Sequence, residues 1–233
     1  MSTITEAPVI SLEGISKRYR SGEEQTIALH NINLTINKGE FIAIMGPSGS
    51  GKSTMMHILG LLDTPTDGSY QLDGHDVSKL KKNTQADLRN QHIGFVFQQF
   101  NLMPRTTVLE NLLLPTVYGE LPDRYARAEK LLKQVGLEDR ATHTGAQLSG
   151  GQIQRVAVAR ALMMNPSLIL ADEPTGNLDS KRSEEIMQLL RSINQKADAT
   201  IILITHEPEI AEFADRVITL RDGNIVSDRK VQS

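Results

Sequence analysis

The stretch Gly46-Pro47-Ser48-Gly49-Ser50-Gly51-Lys52-Ser53-Thr54 constrains this chain more than any other. It follows a short apolar run, Phe41-Ile42-Ala43-Ile44-Met45, and precedes a helix-like segment, Met55 to Leu62. Glycines at 46, 49 and 51 let the backbone bend tightly around an anion with its N–H groups turned inward. Lys52 adds a point charge that can reach β- and γ-phosphates, and the Ser53 hydroxyl can take a place on Mg²⁺. The helix that starts there aims the positive end of its dipole at the same spot. A Gly/Ser-rich surface turn needs no such setting. The full G-x-x-x-x-G-K-[ST] pattern between strand and helix points to a nucleotide triphosphate.

The rest of the composition narrows the class. A chain of 233 residues fits one large domain or two small ones. Its net charge of −3 argues against a general nucleic-acid binder, which carries a basic excess. With no cysteine there is no disulfide, thiolate zinc site or cysteine nucleophile. Met1-Ser2-Thr3-Ile4-Thr5-Glu6 has neither the basic start nor the apolar core of a signal peptide. No run of about 18 apolar residues occurs, so the expectation is a soluble protein that does any membrane work through a partner.

In chain order, Val9 to Tyr19 alternates as a strand, Ser21-Gly22-Glu23-Glu24 reads as a turn, and Ile27 to Ile36 returns. Gly68 to Gly74 is a short strand closed by Asp73-Gly74, and Lys79 to Asn90 is polar and helical. Ile93 to Phe97 is a buried type of strand ending at Gln98-Gln99. Helical spacing then dominates, in Thr107 to Leu114, Arg124 to Val135 and Ile153 to Met164. The α/β pattern resumes with Leu168 to Ala171, a helix from Ser180 to Lys196 with Ser180 as its cap, and Thr200 to Thr205. A short helix, Glu207 to Phe213, and a hairpin around Asp222-Gly223 complete the chain.

Several residues carry chemistry of their own. Asp172 ends an apolar strand, where a carboxylate can hold Mg²⁺ opposite a phosphate loop. Glu173, one residue on, is placed to polarise an attacking water. Two acids merely capping the next helix would not explain the buried strand before them. Leu148-Ser149-Gly150-Gly151-Gln152 precedes a helix, so Ser149 and the two glycines offer N–H groups to a second anion, although a Gly-Gly turn there is also ordinary. Tyr19 can stack on a purine or simply pack at a sheet edge. His206 follows the last buried strand, where it can contact a γ-phosphate. His30, His57, His75, His92 and His143 read as surface or packing residues, and Met55-Met56 and Met163-Met164 as core filler.

These residues, in this order, resemble the nucleotide-binding subunit of ABC transporters, from about Val9 to Ser227. Gly46 to Thr54 looks like the Walker A loop, and Leu168 to Asp172 looks like Walker B. Leu148 to Gln152 matches the family signature letter for letter, which is far more specific than either. The resemblance implies a P-loop NTPase core with a mainly parallel sheet, an N-terminal antiparallel β subdomain and a helical insertion. One domain would fill 1–233, with the core and β subdomain in about 9–99 and 165–227 and the insertion in about 100–164. It further implies that Tyr19 stacks on adenine and that Gln98 (or its neighbour Gln99) lies near Mg²⁺ and the membrane partner, with Ser53 and Asp172 as the other metal ligands. Glu173 would be the catalytic base, His206 the switch histidine, and Asp179 the aspartate that crosses a dimer interface.

Pro174-Thr175-Gly176-Asn177-Leu178-Asp179, with Val96 to Leu102, is similar to a subgroup containing MacB-type exporters, lipoprotein-releasing LolD and cell-division FtsE. Gly176-Asn177 departs from the commoner Ser-Ala of the wider family, a change of little consequence for the chemistry itself. The expectation is a homodimeric, Mg²⁺-dependent ATPase on the inner face of a membrane, energising a separate MacB/FtsX-type permease for export. The rival is an FtsE-like ATPase that signals to cell-wall enzymes. A soluble DNA-repair or chromosome-organising ATPase would need long heptad repeats or zinc modules, which this sequence lacks.

Overall fold

The computed structural model describes residues 7–22, 24–197 and 199–231. Met1–Glu6, which bear on a leader peptide, and Glu23 of the expected first turn lie outside them. Strands β1 (Ile10–Ser21) and β2 (Glu24–Ile36) come first, and β3 (Phe41–Met45) leads through the glycine-rich loop into α1 (Lys52–Leu59). Next are β4 (Asp67–Leu72), β5 (His75–Asp76), α2 (Lys82–His92) and β6 (Ile93–Phe97). Three helices follow, α3 (Val108–Leu113), α4 (Arg124–Gln134) and α5 (Gly150–Ala161). The chain then runs through β7 (Leu168–Asp172), α6 (Ser180–Ala197), β8 (Thr200–Ile204), α7 (Pro208–Ala211) and the hairpin of β9 (Arg216–Arg221) and β10 (Asn224–Lys230).

The strands make two sheets. One is antiparallel, in the order β2-β1-β4-β5, and the other has the order β10-β9-β3-β8-β7-β6. In the second, β3 runs parallel to β8 and β9, and β7 runs parallel to β6 and β8, while β10 is antiparallel. The continuous apolar runs explain the centre of this sheet. Successive side chains of a strand face opposite ways, so each run must satisfy two cores. Phe41, Ala43, Ile169, Ala171, Ile201 and Leu203 join one apolar cluster with α3 to α6. Ile42, Ile44, Leu168, Leu170, Ile202 and Ile204 join the other, with α1 and the antiparallel sheet. Each Leu, Ile or Phe side chain among them, fully buried, contributes about 1.5–3 kcal/mol.

Several boundaries differ from the sequence expectations for local reasons. Helix α1 starts at Lys52, three residues before Met55, because Gly51 adopts φ 103° and turns the chain directly from loop into helix. Helix α5 starts at Gly150 rather than Ile153, since Ser149 and Gln152 form a reciprocal capping box. The cap of α6 is Asp179, whose Oδ1 accepts the Arg182 N–H at 2.9 Å, and Ser180 is the first helical residue. Met55, Met56 and Met163 are core residues as expected, whereas Met164 lies at the rim of a surface cleft.

Candidate active site

Register brings the chemical residues together. Ile204 pairs with both Ile44 and Asp172, and Asp172 pairs with Phe97. The parallel strands therefore end level, and the chain leaves them at Gly46, Gln98, Glu173 and Thr205, with His206 next, along one edge. Ligands of open α/β sheets bind at this carboxyl edge.

The phosphate loop is backed by protein on its inner side. A Cβ on Gly46 would lie 2.2 Å from the Leu220 carbonyl oxygen, so only glycine fits. Ser50 is buried, its carbonyl accepts the Gly223 N–H at 3.1 Å, and its hydroxyl has no partner among the described residues. The β9–β10 hairpin thus holds the loop from behind, a support that no local sequence signal announces. Pro47, Ser48 and Gly49 face outward. Lys52 Nζ donates to the carbonyls of Gly46 (2.6 Å) and Pro47 (2.9 Å), arching over the loop mouth. Ser53 and Thr54 lie in the first turn of α1, whose N-terminal N–H groups have no acceptor inside the helix.

Two carboxylates face this loop. Burial first, and then the neighbouring Glu173 charge, pushes the Asp172 carboxyl up, against the opposing pull of His57 and Lys52. Glu173 sits at φ 44°, a left-handed conformation that costs a non-glycine residue roughly 1–3 kcal/mol. The Glu173 N–H donates to the Ile204 carbonyl at 2.9 Å, which locks this turn onto β8. Its Oε1 lies 2.7 Å from His206 Nδ1, and its buried Oε2 has no partner among the described residues. The hydrogen bond to Glu173, reinforced by its charge, raises the His206 imidazole. The Lys52 charge acts on both Asp172 and His206, so the loop and both strand ends share one electrostatic site.

Gln98, rather than Gln99, is seated against the Pro174–Asp179 segment. Its carbonyl accepts from Asn177 Nδ2 at 2.8 Å, and a Cβ on Gly176 would lie 2.6 Å from its Nε2. The Gly176-Asn177 pair, which reads from the sequence as an inert departure, therefore makes the space and supplies the bond that seat Gln98.

The Leu148–Gln152 segment has other neighbours. Ser149 Oγ accepts the Gln152 N–H, and Gln152 Oε1 accepts the Ser149 N–H. Those two N–H groups are used in the cap, which corrects the expectation that Ser149 offers its own. The first-turn N–H groups of Gly150 and Gly151 are the ones helix geometry leaves free for an anion. Gly150 packs near Leu178 and Gly151 near Arg182, so the segment abuts the start of α6 and its cap, Asp179. Behind it, Gln154 is fully buried and donates from Nε2 to the Pro174 carbonyl at 2.7 Å. Tyr19 lies near the end of β1, 40% exposed, with its hydroxyl donating to Asp63 Oδ2 at 2.9 Å. Neither Gln154 nor Asp63 stands out in the sequence.

The donor set suits Mg²⁺. A serine hydroxyl, a glutamine carbonyl and a carboxylate are all oxygen donors, and the raised Asp172 marks a place where a cation would relieve repulsion from Glu173. Among the described residues no three His, Cys, Asp or Glu side chains form a metal cluster. Mg²⁺ characteristically takes one or two carboxylates and completes its shell from phosphates and water.

Known proteins share this fold and much of this sequence. Residues 29–176 match the family described as ABC transporter. The macrolide export ATP-binding/permease protein MacB of Bdellovibrio bacteriovorus is 51% identical over 97% of this chain and 34% of its own length. The chain thus spans about a third of that relative. The ABC transporter ATP-binding protein YknY of Bacillus subtilis is 52% identical over 94% of this chain and 95% of its own. The dimeric post-hydrolysis structure of the ATP-binding cassette MJ0796, bound to ADP and Pi, is 47% identical with a TM-score of 0.86, over 96% of this chain and 99% of that one. Fold and sequence agree over nearly the same span, and the chain belongs to the ABC transporter family, as one of its ATPases.

Proposed function

We propose that the chain works as a homodimer whose Mg²⁺-dependent ATP hydrolysis drives a separate MacB/FtsX-type export permease. The observation that carries this reading is a division of groups within one chain. Lys52, Asp172, Glu173 and His206 share one site, while Leu148–Gln152 abuts the start of α6. A second copy completes each site, its Ser149–Gln152 segment facing the phosphates held by Gly46–Thr54 of the first. Asp179, capping α6 beside that segment, faces across the interface.

In this dimer the backbone N–H groups of the phosphate loop hold the β- and γ-phosphates, and Lys52 leaves its loop carbonyls to reach them. Tyr19 carries the adenine. Glu173 orients a water in line with the γ-phosphorus and takes its proton as the new P–O bond forms. The bond to the bridging oxygen breaks, and ADP leaves with that oxygen. His206 keeps Glu173 in position and meets the γ-phosphate. Ser53, Gln98 and Asp172 would hold Mg²⁺, which would supply positive charge against the phosphates. ATP favours the closed dimer through contacts from both copies, and its loss reopens it.

Among the described residues no helix is long and apolar enough to cross a membrane. A cleft of about 520 Å³ between α2, β6 and α5 offers a seat for a permease segment. Phe95 and Phe97 stack at 5.3 Å within it, and Tyr118 stands 86% exposed at its rim. Of its lining, Leu114, Pro115, Tyr118, Arg160, Ala161 and Met164 come from the expected insertion at about 100–164. The cleft also borders Gln98 through Phe97, so a partner lodged there is coupled to the site. Binding of this kind is peripheral, at the inner membrane face.

The test is to purify tagged Glu173→Gln protein from its own membranes with MgATP and identify what accompanies it. A permease of few membrane helices with a large external domain supports the exporter reading. A wall- or division-associated partner favours the FtsE-like signalling role, and DNA or soluble proteins alone would sink the transporter assignment.

A further inference from the structure

We infer that Asp63 is a positioning residue for the nucleobase, holding Tyr19 and Lys17 as one preassembled platform beside the phosphate loop. The inference rests on the reading of Tyr19 as the adenine contact. Asp63 lies in the loop after α1, and its two oxygens divide between two partners on β1. Oδ2 accepts the Tyr19 hydroxyl at 2.9 Å, and Oδ1 accepts Lys17 Nζ at 2.7 Å. Lys17 Nζ also donates to the Thr64 carbonyl at 2.7 Å and stands 4.9 Å from the centre of the Tyr19 ring.

Each contact removes a freedom that would otherwise be lost when nucleotide binds. The phenol bond stops the ring swinging about β1. The ammonium over the ring occupies one aromatic face, leaving the other for a base, and the cation–π contact favours that orientation. Burial opposes ionisation of Asp63, but the bonds from Lys17, the Thr64 N–H and Tyr19 outweigh it and hold the carboxyl below its usual range. The platform is also tied to the loop after α1 by backbone. Thr66 donates its N–H to the Ser16 carbonyl at 2.8 Å, and its Oγ1 accepts the Arg18 N–H at 3.0 Å. A base stacked on Tyr19 therefore meets a surface whose position is set by the phosphate-loop helix itself. Ordering costs avoided in this way appear as affinity.

Calorimetric titration of the purified chain with ADP and with pyrophosphate separates base from phosphate recognition. Tyr19→Phe keeps the ring and removes the anchor, and Asp63→Ala removes the acceptor. Both should weaken ADP about three- to tenfold, leave pyrophosphate unchanged, and be no worse in combination than alone. ADP binding by Tyr19→Phe at the unaltered affinity would overturn the inference, as would an equal loss for pyrophosphate. Tyr19→Ala separates the two layers. If it weakens ADP while Tyr19→Phe does not, only the anchoring role falls. If it leaves ADP unchanged, the adenine contact itself is wrong.

Discussion

His206 Nδ1 lies 2.7 Å from Glu173 Oε1, joining the second residue past β8 to the first residue past β7 across the carboxyl edge of the sheet. The contact is possible because Asp172 and Ile204 are in register, so the two chains leave their strands side by side. One oxygen of the proposed base is therefore held, and the other, Oε2, is buried without a partner among the described residues. A carboxylate in that state is oriented by one bond and has a lone pair left for a water.

Replacing Glu173 by Gln keeps the shape and removes the basicity. Hydrolysis should fall about 10²–10⁴-fold, the range for loss of a general base. Nucleotide binding should persist, and light scattering should show an ATP-dependent dimer that no longer dissociates. Normal turnover in this variant would remove Glu173 from the mechanism.

The His206–Glu173 pair should make the imidazole titrate above its ordinary value of 6.5. His206 gains its partner on folding, so its folded pKa exceeds the unfolded one. The pair's contribution is complete below about 6.5 and is lost as pH rises through the folded value. An NMR titration of His206 should show a midpoint that drops when Glu173 becomes Gln. Equal midpoints in the two proteins would mean that the contact does not hold in solution.

Legibility of this protein from sequence follows the distance over which each feature is decided. The phosphate loop and the strand ending at Asp172 were readable because their residues are contiguous and their apolar runs can only be buried strands. The cap of α6 was not, since Asp179 and Ser180 are both good cap formers and only the Asp179–Arg182 bond decides between them. Gln98 could not be separated from Gln99 because its seat is built by Gly176 and Asn177, far along the chain. Asp63 was invisible for the same reason, its partners Lys17 and Tyr19 lying on β1, 46 and 44 residues earlier in the chain.

Gly176→Ala tests whether that seat matters. The added Cβ would meet Gln98 Nε2 at 2.6 Å, the mobile end of a long side chain, so the amide moves and the backbone stays. Stability should change by less than about 0.5 kcal/mol, as for ordinary surface substitutions. Turnover should fall several-fold at unchanged ADP affinity, because Gln98 and not the phosphate loop is displaced. Steady-state kinetics beside a thermal melt would read both. A variant with full kcat would show that the Gln98 amide has no part in turnover.

Gly94→Ala should act in the opposite way, on stability before chemistry. Gly94 is the second residue of β6, where α5 passes so closely that a Cβ would stand 2.3 Å from the Ala161 carbonyl oxygen. That atom is helix backbone and cannot swing aside, so α5 must lift from the sheet. Overpacking of this kind costs about 1–3 kcal/mol. Helix α5 begins at the Ser149–Gln152 cap and is tied to Pro174 by Gln154, so a shift at its far end reaches the signature and the segment after Glu173. Urea unfolding should therefore show a lower midpoint at unchanged slope, accompanied by weaker ATP-dependent dimerisation with ADP affinity retained. If the midpoint fell while dimerisation stayed intact, α5 would be absorbing the strain locally, and the mechanical link from β6 to the signature would be disproved.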